Sequence, residues 1–202
     1  MSRKLRVYLA GPDVFLPHAI AIGQEKKRLC AKYGFEGLYP FDNEITPGAF
    51  DGPIDIQIYQ ANVAMIRSCD FGILNLTPFR GASADVGTVF ELGMLTGLNK
   101  PVFGYSNVLA GMLERLKLQG QAKWDDGIGQ WVDCNGMSIE NFRNTDNLMI
   151  DCAVEASGSS IIKHDAKPGE EFVDLKGFEK CLLLASSVLQ DGVHSVRVAA
   201  RT

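Results

Sequence analysis

The sequence contains none of the short motifs that mark the common cofactor and metal chemistries. No GxGxxG follows the first strand-like run, no GxxxxGK[ST] is present, and HExxH and GxSxG are both missing. These absences argue against a dinucleotide-binding protein, a P-loop protein, a zinc protease and a serine hydrolase of the nucleophile-elbow type. We therefore expect a protein that works without cofactor or metal.

Histidine and patterned cysteine are also scarce. The three histidines lie far apart, and the five cysteines form no CxxC pair, so neither zinc nor a redox pair is indicated. Unpatterned thiols are typical of a reducing compartment, which favours a cytoplasmic location. The formal net charge is -4 with no basic stripe, so we expect no nucleic-acid partner. No apolar run reaches transmembrane length and no signal-peptide pattern opens the chain, so we expect no membrane association.

Strand-like and helical patterns alternate through the first half of the chain. A chain of 202 residues with 46% hydrophobic content suits one domain, and we interpret residues 1–202 as a single domain. The strand-like runs are 5–10, 35–39, 71–76 and 100–105, and the helical patterns between them are 17–33, 51–68 and 86–99. This order predicts an α/β fold, a doubly wound (Rossmann- or flavodoxin-like), mostly parallel sheet of about five strands with helices on both faces.

The second half is less regular. Residues 107–118 indicate a short helix, 120–134 a loop or hairpin, 138–149 a helix with a loop, and 157–160 a loop. An amphipathic pattern over 174–190 predicts a last helix. We interpret residues 155–202 as a C-terminal helical extension of the same domain.

The strongest chemical signal is Glu91, which is the only charged residue in the apolar run 86–99. An ionised carboxylate in such a helix loses hydration and needs partners or a chemical role. One interpretation is structural: Thr88 and Glu91 fit a capping box, and Asp85 fits a helix start. The other makes Glu91 a nucleophile, kept ionised by the helix start, with Asp85 as its proton-transfer partner. The carboxyl ends of the predicted strands, where ligands of such folds bind, bring this helix start close to the loops 11–15, 41–44 and 77–83. In two of these loops Asp13 and Asp42 are interpreted as turn residues.

Six segments, taken in order, resemble one family. They are VYLAGP at 7–12, PFDNE at 40–44, IYQAN at 58–62, LTPFRG at 76–81, DVGTVFELG at 85–93 and NLM at 147–149. Together they resemble the nucleoside 2-deoxyribosyltransferases, over about residues 5–103 and 138–151. The resemblance implies an enzyme of nucleoside salvage whose substrates are a deoxynucleoside and a free nucleobase. Both purine-only and broad-specificity members share these motifs, so base preference stays open.

The resemblance also implies a mechanism. Glu91 would attack C1′ and form a covalent deoxyribosyl-enzyme, the retaining logic of glycosidases. Asp85 would protonate the departing base and then accept a proton from the incoming base. Tyr8 matches the tyrosine that orients the nucleophile, although a core-facing strand tyrosine is the alternative.

The remaining implied site residues bind substrate. Asn62 falls at the sugar–base site, Phe15 against the base and Glu44 facing the base, while Gly11 belongs to the loop beside them. Structural alternatives are a surface amide for Asn62 and an apolar loop residue for Phe15. The resemblance further implies that Asn147 and Met149 close the active site of a neighbouring subunit. The expected state is thus a homo-oligomer, dimer-based and up to a hexamer, with shared sites.

Two other functions remain open from the residues. A deoxynucleoside 5′-monophosphate N-glycosidase would use the same Glu91, pass the intermediate to water, and hold a phosphate with Arg80 and Ser83. A non-catalytic nucleoside-binding module would keep the fold alone. The joint presence of Tyr8, Asp85 and Glu91 favours an enzyme over such a module.

Overall fold

The protein is a three-layer α/β structure in a computed structural model that describes residues 3–42 and 52–199, with side chains to residue 189. Its main sheet consists of five parallel strands: β1 (Arg6–Ala10), β2 (Glu36–Leu38), β3 (Phe71–Asn75), β4 (Val102–Ser106) and β7 (Ile162–Lys163). A separate antiparallel hairpin is formed by β5 (Lys123–Asp125) and β6 (Gln130–Val132). The helices are α1 (Ala19–Lys32), α2 (Ile54–Ser68), α3 (Val86–Gly97), α4 (Met112–Leu118), α5 (Leu148–Glu155) and α6 (Lys176–Ala199).

The order of the strands across the main sheet is β2-β1-β3-β4-β7. This is the flavodoxin-like arrangement, in which the chain turns back between β1 and β3 and leaves a crevice at their carboxyl ends. One buried cluster packs α1 and α6 against one face of the sheet, and a second packs α2, α3 and α5 against the other. The predicted doubly wound parallel sheet is confirmed.

Four of the five parallel strands coincide with the predicted runs, and the position of the fifth was not predicted. β7 contains two residues and pairs Tyr105 with Ile162. A strand this short has no readable period, so only pairing with β4 reveals it. The stretch 155–202 therefore adds a strand to the sheet as well as α6, and is not helical alone.

Helix starts account for the other differences. No helix forms over 138–147. The helix in this region is α5, which begins at Leu148 with Asn147 as its N-cap. Of the helix predicted over 107–118, only the second part forms, as α4. Pro53 caps α2 and lies outside it. For residues 120–134, the hairpin is the alternative that the structure adopts.

Helix α3 is apolar on nearly every side, yet in this chain only one side is buried. Thr88, Leu92 and Leu95 are buried, whereas Val86 is 85% and Phe90 is 56% exposed. A helix that is apolar nearly all round is usually a buried helix, but in a single chain this one is buried on one side only. An exposed apolar helix face is a feature of interaction surfaces.

Among the helices that the structure describes, none is long and apolar enough to cross a membrane.

Candidate active site

A cleft of about 690 Å³ opens at the carboxyl ends of β1, β2 and β3. Its walls are mostly apolar and come from the loops after β1 and β2 and from α2: Val14, Phe15, Pro40, Phe41, Ile54 and Ile58. Its polar end is formed by the start of α3 and one residue of α2: Asp85, Thr88, Glu91 and Asn62. An apolar cleft with a few convergent polar groups is the usual form of a small-molecule site.

Glu91 and Tyr8 form a direct pair at the polar end of the cleft. The Tyr8 hydroxyl donates a hydrogen bond to Glu91 Oε1 at 2.5 Å. Tyr8 is fully buried on β1, so its ring has little freedom and holds the carboxylate in one orientation. Oε2 of Glu91 is then the oxygen that remains for contact with a ligand.

The pKa of Glu91 is raised from its usual value near 4.5 to about 7. Burial is the largest cause, the hydrogen bond from Tyr8 acts in the opposite direction, and the negative charge of Asp85 raises the pKa further. Burial also raises the pKa of Tyr8, and the charge of Glu91 adds to this effect. Burial thus acts against the ionised state of Glu91, which the helix start is expected to favour.

Asp85 is the N-cap of α3 and also lines the cleft. Its Oδ2 accepts hydrogen bonds from the backbone N–H of Thr88 at 2.9 Å and from the Thr88 hydroxyl at 3.0 Å. The structural interpretation of Asp85 as a helix-start residue is therefore confirmed. The capping box between Thr88 and Glu91 does not form, because Glu91 bonds Tyr8 and Asp85 fills the capping position.

Phe15 lies at the mouth of the cleft and is half exposed. Its ring stacks on Phe79, with centroids 5.3 Å apart and planes within 9°. The guanidinium of Arg80 lies 5.0 Å from the Phe15 centroid and 4.6 Å from that of Phe79. Phe15 therefore packs on another aromatic loop residue, outside the sheet core, and keeps part of its surface toward the cleft.

A buried ion pair supports the short 3-10 turn over Pro12–Phe15. Lys26 Nζ donates to Asp13 Oδ2 at 2.5 Å, and Asn75 Nδ2 donates to Asp13 Oδ1 at 2.8 Å. At Gly11, a Cβ atom would lie 2.6 Å from Asn75 Cβ and 2.7 Å from Asp13 Oδ1, so no larger residue fits. Asp13 is thus in a turn, as expected, and it is also a fully buried charge.

Six of the nine predicted site residues meet at this cleft. Tyr8 bonds Glu91, and Gly11, Phe15, Asn62, Asp85 and Glu91 line the cleft. Asn147 and Met149 lie instead beside a separate groove of about 430 Å³ between α3 and α5. Glu44 lies outside the described residues.

Ile54 and Ile58 are lining residues that sequence reasoning missed. They are four residues apart and precede Asn62 by eight and four, so all three lie on one face of α2. That spacing was the available signal, because a helix face with two isoleucines and one amide differs from an ordinary core face.

Ser83, one of the two residues considered for a phosphate, is engaged elsewhere. Its hydroxyl donates to Asp146, and Ser83 lies beside the groove between α3 and α5. The guanidinium of Arg80 lies over the rings of Phe15 and Phe79, so both groups have contacts other than a phosphate.

Comparison with known proteins agrees with the fold. A family model for nucleoside 2-deoxyribosyltransferases matches residues 7–149, and the chain belongs to this family. A 2-deoxyribosyltransferase from Leishmania mexicana superposes with a TM-score of 0.64 and 29% identity, covering 91% of this chain and 98% of that one. An uncharacterized protein of Schizosaccharomyces pombe is 31% identical over 170 residues, covering 77% of this chain and 79% of the relative.

Proposed function

We propose that this protein transfers a 2-deoxyribosyl group from one nucleobase to another through a covalent intermediate on Glu91. The observation that carries the proposal is the Tyr8–Glu91 hydrogen bond at the polar end of an otherwise apolar cleft, with Asp85 on the same helix start. The apolar walls suit the faces of a nucleobase, and the carboxylates suit the sugar–base bond. Membership of the nucleoside 2-deoxyribosyltransferase family supports the same reaction.

In the first half-reaction, Oε2 of ionised Glu91 attacks C1′ of the deoxyribosyl group. The C1′–N bond breaks, its electron pair goes to the base nitrogen, and the proton that neutralises the base comes from Asp85. This step therefore requires the form of the site in which Asp85 holds the proton and Glu91 the charge. Tyr8 keeps Oε1 in place, so the attacking oxygen is oriented and the carboxylate does not rotate. The products are a free base and a deoxyribosyl ester of Glu91.

The second half-reaction reverses these steps with a different base. Asp85, now ionised, accepts the proton of the incoming base as its nitrogen attacks C1′, and Glu91 leaves as a carboxylate. Two displacements at one carbon retain the configuration. Phe15 and Phe41 would cover the base, and Asn62 would bind at the sugar–base junction as donor or acceptor.

The proposal includes a second copy of the chain at each site. Gly87, Thr88 and Glu91 face the cleft, whereas Val86 and Val89 line the groove that also contains Asn147 and Met149. A two-fold related copy seated on this apolar groove would bring its own 147–149 segment to the neighbour's helix α3. Such closure would exclude water from the site. A transferase needs this exclusion so that its intermediate reacts with the acceptor base and is not hydrolysed. The activity would serve nucleoside salvage in the cytoplasm.

One assay separates transfer from the competing functions. The protein is incubated with deoxyinosine in the presence and absence of free adenine, and hypoxanthine and deoxyadenosine are quantified by chromatography. We expect deoxyadenosine, and a release of hypoxanthine that depends strongly on adenine. Equal hypoxanthine release without adenine would indicate a hydrolase, and no turnover in either mixture would indicate a binding module.

A further inference from the structure

A buried ion pair lies behind the start of α3, outside the cleft. Arg115 on α4 is 6% exposed and Asp146, just before α5, is 1% exposed, with Arg115 Nη2 3.3 Å from Asp146 Oδ2. Buried charges of this kind are rare unless their hydrogen-bonding groups have partners. Besides Ala110 and Asn147, the partners of this pair lie in one short segment.

That segment is residues 82–84, which leads directly into Asp85. Arg115 Nε donates to the carbonyl oxygen of Ala82 at 2.7 Å. The hydroxyl of Ser83 donates to Asp146 Oδ1, and the backbone N–H of Ala84 donates to Asp146 Oδ2 at 2.9 Å. Three consecutive residues are thus held by one ion pair, and the next residue in the chain is Asp85.

We propose that Arg115 and Asp146 are positioning residues for proton transfer, because they fix the backbone from which the Asp85 carboxyl reaches the base. This inference rests on the proposed function of Asp85. Neither residue lines the cleft, so both act through residues 82–84 and not on the substrate.

The orientation of Asp85 depends on two restraints. Thr88 holds Oδ2 from the helix side, and the Arg115–Asp146 pair holds the chain from the loop side. The capping bond alone can move with the first turn of the helix. The buried pair instead fixes residues 82–84, just before that turn, to α4 and to the residue before the start of α5. An error of about 1 Å in the placement of a reacting group can cost on the order of 100-fold in rate. A loosened segment 82–84 should therefore impair the step that needs Asp85 most.

The test uses two donors that differ in their need for an acid. Hypoxanthine, the base of deoxyinosine, is a poor leaving group unless it is protonated. In 7-methyl-2′-deoxyguanosine the base is already cationic and leaves without a proton. The measured quantity is kcat/KM for base release from each donor with adenine as acceptor, at a temperature where circular dichroism shows each variant to be folded.

The central variant is Asp146→Asn, and its control is Asp174→Asn. The Asp174 side chain is also mostly buried, at 11% exposed, and its carboxylate hydrogen-bonds His164 and accepts from the backbone N–H of Lys176, not from residues 82–84. We expect Asp146→Asn to lower kcat/KM for deoxyinosine by roughly 100-fold and for the methylated donor by no more than about 10-fold. Any loss in Asp174→Asn should be the same for both donors.

Ser83→Ala keeps the test decisive if Asp146→Asn does not fold. It removes one donor to Asp146 and leaves both charges in place, so it should show the same selective loss with a smaller factor. Equal losses for both donors in Ser83→Ala and in any folded Asp146→Asn would overturn the positioning role.

Asp85→Asn, measured in parallel, separates this inference from the proposed function. If Asp85→Asn loses selectively on deoxyinosine while the Asp146 and Ser83 variants do not, positioning is wrong and the proposed function stands. Equal losses for both donors in Asp85→Asn would overturn the proton-transfer role of Asp85 and the inference with it. Absence of transfer by the unaltered protein would overturn both.

Discussion

At the scale of single residues, Glu91 is subject to two opposing demands. Burial beside Tyr8 orients the carboxylate and keeps water away, but burial also disfavours the charge that a nucleophile needs. The hydrogen bond from Tyr8 compensates part of this cost, and the resulting pKa is about 7. Activity and stability should both depend on pH through this one group.

The first prediction concerns the pH profile. Because only ionised Glu91 can attack, kcat/KM should rise by about tenfold per pH unit below pH 7 and level off above it. The hydrogen bond from Tyr8 lowers the pKa of Glu91, so Tyr8→Phe should move the rising limb to higher pH. Profiles measured with 7-methyl-2′-deoxyguanosine avoid overlap with the acid role of Asp85. An unchanged limb in a folded Tyr8→Phe protein would show that another group sets it.

The second prediction concerns the stability cost of the same charge. In the unfolded chain Glu91 titrates near 4.5 and in the folded chain near 7, so between these values the folded state binds the extra proton. Stability from this group is present below about pH 4.5 and is lost as the pH rises toward 7, by roughly 3 kcal/mol. Glu91→Gln should thus raise the free energy of unfolding at pH 8 and not at pH 4.5. Glu155→Gln, at an exposed carboxylate on α5, serves as the control in urea titrations at both pH values.

The third prediction identifies the nucleophile by trapping. A 2-fluoro-2-deoxy nucleoside should label Glu91, because fluorine slows breakdown of the ester intermediate more than it prevents its formation. Intact-mass and peptide mass spectrometry would locate the label, and Glu91→Ala should lose both the label and roughly 1,000-fold or more of the transfer rate. A label on Asp85 would reverse the two carboxylate roles.

At the scale of elements, the turn between β1 and α1 is held by a buried charge pair. Lys26 and Asp13 are both almost fully buried, and the amide of Asn75 joins them to β3. Breaking a buried pair leaves one charge without compensation, which is far more costly than removing both. The turn that carries Phe15 to the cleft therefore depends on Lys26.

The fourth prediction compares two adjacent lysines of α1. Lys26→Met should lower the free energy of unfolding by about 3–5 kcal/mol, and Asp13→Asn added to it should restore part of the loss. Lys27, whose ion pair with Asp42 is partly exposed, is the control. Lys27→Met should cost less than about 1 kcal/mol in the same urea titrations. Equal losses for the two lysines would mean that breaking the buried Lys26–Asp13 pair costs no more than breaking the partly exposed Lys27–Asp42 pair.

At the scale of the whole molecule, the exposed apolar side of α3 and the position of Met149 point to a partner copy. Met149 is 71% exposed and Val86 is 85% exposed. Val86 is adjacent in the chain to Gly87, which lines the cleft. Asn147 uses its side chain within its own chain, as it accepts from Met149 N–H and donates to Glu140. A role for Asn147 at a neighbour's sugar would require exchange of the Glu140 bond.

The fifth prediction is complementation between two weak variants, Glu91→Gln and Asn147→Ser. Serine still caps α5, so the second change removes the amide without removing the cap. In mixed oligomers, one kind of site would combine an intact Glu91 with an intact Asn147 from the other chain, and transfer should partly return after co-expression. Mass spectrometry must show that mixed oligomers form. Activity at the sum of the two variants would then mean that each site is complete within one chain.

The sequence by itself determined the layered sheet and the position of the helix that contains Glu91. Both are local signals: strands and helices of adequate length show their own period, and Glu91 is conspicuous because no other charge occurs in residues 86–99. The motifs that resemble the nucleoside 2-deoxyribosyltransferases lie in or beside the same segments. Asp85, Tyr8, Phe15 and Asn62 could be selected in this way because each belongs to such a motif.

Only the tertiary structure decided which of these residues come into contact and how those contacts change their pKa values and burial. The raised pKa of Glu91 results mainly from burial, and it is lowered in part by the hydrogen bond from Tyr8, 83 positions away in the chain. The buried charge of Asp13, the short strand β7 and the Arg115–Asp146 pair likewise depend on partners far apart in sequence. Desolvation and hydrogen bonding between distant segments have no period along the chain, so they can be read only after the chain has folded.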